Sequence, residues 1–452
     1  MKNISISSSL RTNGFTTTVG RKTYKTEYPH KVWKSVQEEM KIQLAQTVSY
    51  FVTRHLALSK RVDVSYDFPP PSARLFMDYG LFYSIAEAPF EFPEKKLTTE
   101  EVIRSVYNAE FAINFKGIPQ PIPTSQPLTM NHKHSLMPMS FGKDSLLTYA
   151  IASELGLSPH PIFIEEPTCP RQNSKKKKLL SSFSKEFTHK ITRFPNNLGF
   201  LRQGSSMMWG WDMLLVQYTT LFLPFVYHDK SAYFFWSNEQ SSNEHALNHE
   251  GYLINSTHEQ SIQWLLNLNN LYRMFGINTN ISSLIEPLHE LIILSILHNR
   301  YPDIGKYQLS CDDEKTTHRW CGNCFECARV YLFFSALGID PKSVGLMENM
   351  FAGKKKELFY LFSKHNTDQL NIVFQSYGER LLAFYLAYKR GAKGALIDEF
   401  VKKLLPKVEK QKSKLFAKYF TLHEMDTIPT TLRSPLKKIY REELARIKKD
   451  II

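Results

Sequence analysis

Two short stretches concentrate the residue types that do chemistry. In the first, "MPMSFGKDSLLTYAIASELG", Ser140, Gly142, Lys143, Asp144 and Ser145 stand between an apolar run and a helical pattern. A strand that ends in a tight turn and feeds a helix presents free backbone N–H groups, and the positive end of the helix dipole, to an anion. Gly142 would let the main chain come close, the hydroxyls of Ser140 and Ser145 would donate, and Lys143 would add a cation. A plain turn capped by Asp144 or Ser145 is the alternative. In the second stretch, "SCDDEKTTHRWCGNCFECARV", Cys311, Cys321, Cys324 and Cys327 follow the spacing C-x9-C-x2-C-x2-C. Two consecutive C-x2-C steps let thiolates converge on one tetrahedral ion, and the longer gap closes the fourth corner. Gly322 permits the turn that N–H to sulfur bonds require, and "ARVYLFFSALG" reads as a helix anchored by the last ligand. A large chain whose start, "MKNISISSSLRTNG", lacks an apolar signal core favours a structural Zn2+ over disulfides. An iron–sulfur cluster is the competing reading, and His318 a possible replacement ligand.

These residues need a scaffold. The chain of 452 residues is long enough for two or three domains, and 42% hydrophobic with 13% aromatic content is ordinary for a globular protein. The most apolar run, "WDMLLVQYTTLFLPFVY", is broken by Asp212, Gln217 and Pro224 and falls short of a membrane span, so a cytoplasmic protein is expected. A formal net charge of +14 suits a polyanionic ligand or simply a basic surface. No basic stripe interleaved with stacking aromatics lies near the loop, which weighs against nucleic acid.

From Leu136 onward the pattern alternates: strand "LMPMS", helix 145–155, strand "PIFIEE", helix 174–187, strand "HKITRF", helix 205–222, strand "SAYFFWS". Such alternation predicts right-handed crossovers and a parallel sheet, an α/β fold. Further helical patterns cover 257–275 and 283–299. Three regions follow: an α+β extension over 1–125, an alternating α/β domain over 126–340 containing the cysteine segment at 311–327, and a basic helical region over 341–452. The extension combines strand-like "GFTTTVGRKTYKTEY" with helical "VWKSVQEEMKIQLAQTVSYFVTRHLAL", and the proline-rich "KGIPQPIPTSQPLTMNHKHS" reads as a linker or surface loop.

In open parallel sheets, ligands bind beyond the carboxyl ends of the strands, where the loop 140–145 should lie. Other polar residues belong to the same rim. Glu165 and Glu166 end the second strand as exposed carboxylates that could hold Mg2+ or accept a proton. The run "FFWSNEQSSNEHALNHEGY" places Ser237, Asn238, Glu239, Asn243, Glu244, His245 and His249 after the fourth strand, with Glu239 and His245 the expected base and acid. Cys169 is a spare thiol or an alternative base, and Lys175 to Lys178 read as a solvated helix face that could also attract a diphosphate.

The motif Ser140-Phe141-Gly142-Lys143-Asp144-Ser145 resembles the S-G-G-x-D-S pyrophosphate loop of the N-type ATP pyrophosphatases, with Phe141 where glycine is usual. It is neither a Walker A motif nor a Rossmann fingerprint. The resemblance implies an adenine nucleotide alpha hydrolase-like (PP-loop) domain that binds Mg-ATP, attacks the α-phosphate and releases pyrophosphate. Carried over, Ser140, Gly142, Lys143, Asp144 and Ser145 bind the phosphates, Asp144 reaches Mg2+, and adenine lies against "PIFIEE". The cysteine segment is similar to the structural zinc element of the 7-cyano-7-deazaguanine synthases, which implies base modification or phage defence. The mid-chain loop and long flanking regions look more like the ATP-dependent UDP-N-acetylmuramoyl-L-alanyl-L-glutamate epimerases. That resemblance implies peptidoglycan synthesis: the terminal glutamate of a UDP-muropeptide, a small acidic carboxylate substrate, is adenylated, and its Cα–H then becomes acidic enough for a side-chain base.

Overall fold

The computed structural model describes residues 2–59, 61–91, 95–119, 128–202, 213–362 and 377–451. Its first sheet begins with an antiparallel meander, β1 (Lys2–Arg11), β2 (Gly14–Val19) and β3 (Lys22–Glu27); β4 (Val62–Tyr66) and β5 (Ile113–Phe115) join in parallel, giving the order β3-β2-β1-β4-β5. The stretch "GFTTTVGRKTYKTEY" is therefore a hairpin rather than one strand, turning at Gly20, whose φ of 58° suits glycine.

The second sheet contains β6 (Asn131–Pro138), β7 (Pro159–Glu165), β8 (Thr192–Pro195) and β9 (Ser231–Phe235). After a small hairpin, β10 (Ala246–Leu247) with β11 (Leu253–Ile254), β12 (Asn280–Ser282) completes it. All five strands are parallel in the order β12-β9-β6-β7-β8. The chain winds outward from β6 to β8, then returns to the far side of β6 for β9 and β12. Helices Lys143–Glu154 and Pro170–Glu186 serve the outward half, and Leu214–Asp229 and Ile262–Met274 the return. Winding therefore reverses between β6 and β9, which opens a crevice at their carboxyl ends. Residues 205–212 of the expected 205–222 helix, and 120–127 of the expected linker, lie outside the described residues.

Strand residues alternate between two cores. Leu136, Ile162, Phe194, Phe234 and Ile281 pack with the first sheet, helix Glu38–Thr53 and helices Leu214–Asp229 and Ile262–Met274. Met137, Phe163, Tyr233 and Phe235 pack with helices Lys143–Glu154, Glu290–Asn299 and Phe325–Leu337 and with the C-terminal helices from Tyr377 to Ile451. Both faces of the parallel sheet are thus covered, one by the N-terminal region and the other by the C-terminal region. Among the described residues, no helix is long and apolar enough to cross a membrane.

Candidate functional site

β6 leads directly into the loop 139–145, which is pinned from both sides. Met139 N–H donates to the Ile162 carbonyl at 2.8 Å, and Leu309 N–H donates to the Phe141 carbonyl at 2.7 Å. Phe141 adopts a left-handed φ of 62°, which costs a residue with a Cβ about 1–2 kcal/mol. Its ring is fully buried and meets Phe183 edge-on at 5.8 Å, and burying such a ring contributes about 1.5–3 kcal/mol, enough to offset the strain. The backbone turn that glycine would make freely is held here by a side chain. The serines cross-brace the turn: Ser140 N–H donates to Ser145 Oγ, Gly142 N–H to Ser140 Oγ, and Ser145 Oγ to the Gly142 carbonyl, each at 3.2 Å. Helix Lys143–Glu154 has Gly142 at its N-cap and no side-chain cap, so neither Asp144 nor Ser145 caps it. Among the described residues no side chain accepts its first-turn N–H groups, which leaves them open to an external acceptor.

Lys143 departs from expectation. Its side chain turns away from the loop mouth into a charge cluster, with Nζ 2.7 Å from Asp144 Oδ1, 3.2 Å from Glu239 Oε2 and 3.8 Å from Glu290 Oε1. Burial disfavours its charge, but the three carboxylates outweigh this and hold its pKa above the usual lysine value. Asp144 is consequently an ion-pair partner rather than a free ligand. Burial raises its carboxyl above the ordinary range although Lys143 pulls the other way. On Glu239, burial is outweighed by Lys143 and by the Ser241 hydroxyl, which donates at 2.7 Å, so its pKa lies below the usual value. That makes it a weaker base than a free glutamate. His245 is exposed, and no hydrogen bond or ion pair joins it to Glu239, so the expected acid and base are not assembled as a pair.

The cluster extends to residues that the sequence did not single out. Arg329 NH1 lies 3.4 Å from Glu290 Oε2, and its NH2 reaches Glu326 Oε2 at 2.5 Å. Burial pushes Glu290 up to about 7 against the pull of Arg329 and Lys143. Glu379 is also held well above the carboxylate range by burial, and it accepts the Leu291 N–H at 2.7 Å. The one signal for Glu290 was a carboxylate heading the otherwise apolar run "ELIILSIL". Arg329 and Glu379 likewise stand near the starts of the largely apolar helices Phe325–Leu337 and Tyr377–Lys389, a signal that the sequence reading did not use.

Beside the loop lies a cleft of about 440 Å3, within the range of small-molecule sites. Ser140, Asp144 and Ser145 line one end, Ile162 to Ile164, Tyr218 and Trp236 form apolar walls, and Glu166, Cys169, Gln172, Asn173, Lys176, Ser237 and Asn238 supply polar groups. The expected strand-end carboxylates are not free. Glu165 pairs with Lys177 at 2.7 Å and with Arg193, which together hold its pKa below the usual value against burial. Glu166 is bound by Arg202 at 2.5 Å, by Asn196 Nδ2 at 2.7 Å and by the Tyr218 hydroxyl. The lysine run is not a uniformly solvated face either, because Lys175 is buried and donates to the Asp313 carbonyl at 2.8 Å.

The four cysteines converge as the spacing predicts, their sulfurs all within 4.8 Å of one another. Sulfur separations of 3.4 Å for Cys324–Cys327, 3.8 Å for Cys321–Cys327 and 4.0 Å for Cys311–Cys324 bracket the ~3.8 Å edge of a tetrahedron with Zn–S bonds of about 2.3 Å. Backbone N–H groups of Cys321, Asn323 and Cys327 donate to sulfurs at 3.3–3.4 Å, and Gly322 makes the knuckle with φ 62°. The donor set is compatible with zinc. His318 is exposed and outside it. Between Cys311 and Cys321 the chain reaches the helix Pro170–Glu186: Glu314 accepts the N–H groups of Arg171 and Gln172 at 2.9 and 2.8 Å. Comparison with family models, with curated proteins and with solved structures finds no match to this chain.

Proposed function

We propose that the cleft between β6 and β9 binds an adenine nucleotide and that the protein is an AMP- and pyrophosphate-forming enzyme acting on a carboxylate. The observation that carries this reading is the uncapped first turn of helix Lys143–Glu154, preceded by the cross-braced Ser140–Ser145 turn, at the reversal point of a parallel sheet. Phosphates would take the first-turn N–H groups and the serine hydroxyls, and the adenine would take the apolar wall at Ile162 to Ile164. With Lys143 engaged by Asp144 and Glu239, Mg2+ would have only Asp144's partly exposed carboxylate from the loop. Bound ATP supplies the activating adenylate; the protein orients the two reactants and excludes water. As the finer reading, we propose epimerisation of the terminal L-glutamate of a UDP-muropeptide. A deazaguanine-synthase-type reaction is the second reading, favoured by the C-G-x-C-x2-C knuckle.

Gly142→Asp tests the nucleotide reading cleanly. The position has φ −71° and an added Cβ would meet only Ser140 Oγ, at 3.3 Å, so aspartate fits the backbone and supplies the missing cap. Thermal stability should hold or rise slightly, while pyrophosphate release with carboxylates or UDP-muropeptides should fall at least 100-fold, because a carboxylate would occupy the phosphate position. Unchanged pyrophosphate release would refute the reading. In deuterated water, one deuterium at the glutamate Cα per AMP formed would support the epimerase, whereas consumption of 7-carboxy-7-deazaguanine with ammonia would support the second reading.

A further inference from the structure

We infer that Lys176, with Ser237 and Asn238 across β6 from it, forms the anion clamp for the nucleotide's triphosphate; this rests on the nucleotide reading above. Lys143, the cation that the motif offers, is sequestered by Asp144, Glu239 and Glu290. Among the described side chains lining the cleft, Lys176 is then the one cation, and it has no ion-pair partner among the described residues. Its ammonium donates to the Gln172 amide oxygen at 3.0 Å, which leaves two donors for a ligand. Burial lowers its pKa to about 8, with Cys169, Asp312 and Glu314 restoring part of the charge and Lys175 opposing, so that a bound anion would gain from a poorly solvated cation.

The opposite side of β6 shows a complementary deficit. Ser237 and Asn238 both line the cleft, Asn238 only 6% exposed, and among the described residues neither the buried Asn238 Nδ2 nor the buried Ser237 Oγ has a hydrogen-bond partner. Buried donors left unpaired cost about 1–3 kcal/mol each, which a ligand with several acceptor oxygens would recover. A triphosphate reaching from the loop at the end of β6 meets both sides, whereas an uncharged nucleoside needs neither.

The test is calorimetric titration of the full-length protein with MgATP, AMP and adenosine, for wild type, Lys176→Gln and Lys176→Arg, each checked for an unchanged melting temperature. The clamp requires a 10- to 100-fold loss of ATP affinity in Lys176→Gln, adenosine affinity within twofold of wild type, and recovery to within about threefold in Lys176→Arg, magnitudes set by a charge-assisted hydrogen bond. ATP binding unchanged in Lys176→Gln overturns the clamp and leaves the nucleotide reading standing. Equal losses for ATP and adenosine also overturn it, since they indicate a damaged wall. A wild-type protein that binds no ATP overturns the nucleotide reading and the clamp with it.

Discussion

Replacing Lys143 with methionine separates a structural cation from a ligand-binding one. The Lys143 side chain is 5% exposed and its ammonium lies within 3.8 Å of three carboxylates, so its removal leaves Asp144, Glu239 and Glu290 facing one another with Arg329 as the remaining counter-charge. Breaking a buried ion pair by deleting one partner costs about 3–5 kcal/mol. At about 2.1 cal/mol/K per residue, cooperative unfolding of 452 residues carries about 0.95 kcal/mol/K, so the melting temperature should fall by about 3–5 °C. Acid should relieve the defect. Without Lys143 the carboxylates bind protons more readily than in the wild type, so the gap between the two proteins should narrow as pH falls from 8 to 5.5. Scanning fluorimetry at both pH values reads this directly. A variant that melts with the wild type at pH 8 and loses ATP affinity instead would show that Lys143 faces the ligand, and a gap that widens in acid would contradict the cluster.

Three further outcomes follow from the same physics. Phe141→Gly should relieve about 1 kcal/mol of left-handed strain but forfeit a buried ring worth about 3–5 kcal/mol, for a net fall in melting temperature of about 3 °C; a rise would show that the strain dominates. Elemental analysis should find one zinc per chain, lost in Cys324→Ser and retained in Cys169→Ser, and loss of zinc with unchanged melting temperature would contradict a structural role. His55, His258 and His298 are lowered to about 4 and His289 to about 3, chiefly by burial, so each favours folding above the unfolded value near 6.5 and loses up to about 3 kcal/mol as pH falls toward 4. Glu286 and Glu290, raised to about 7 by burial, act in the opposite sense between about pH 7 and 4.3, as do Glu379 and Asp144, also raised by burial, so the two sets offset and the melting temperature should stay nearly level from about pH 6.5 to 5; a fall of about 8 °C, the size of the four histidines unopposed, would contradict this account.

What the sequence disclosed and what it hid have physical causes. β6, β7 and β9 are apolar runs set between helical periods, so their order and the loop after β6 were legible. β1 was not read although "NISIS" alternates as a half-buried strand does: the alternation covers only two isoleucines, of which Ile6 alone is buried, and its place is decided by pairing with β2 and β4. β12 has three residues, too few for any period. The cysteine spacing encodes its own geometry, because knuckle and helix are both local. The charge cluster could not be read this way: Lys143, Glu239, Glu290 and Arg329 are far apart in the chain and meet only because helix Glu290–Asn299 packs on helix Lys143–Glu154. Lysine in a phosphate-type loop suggests a cation for the ligand, and only the fold reveals that three carboxylates have claimed it.

The bonds from Glu314 to the start of helix Pro170–Glu186 tie two parts of the molecule that chemistry alone would keep separate. That helix carries Gln172, Asn173 and Lys176 into the cleft, and its first turn is held by a segment whose two ends are Cys311 and Cys321. Ordering of the four thiolates therefore helps to hold one wall of the cleft, together with the bonds from Cys169 N–H and Asn173 Nδ2 to the Glu166 carbonyl. Thermodynamic reciprocity makes this mutual: whatever free energy the cleft's occupant gains from a correctly placed helix, an ion on the thiolates gains from an occupied cleft. Metal retention during dialysis against a chelator would then report on the contents of a pocket the metal never touches.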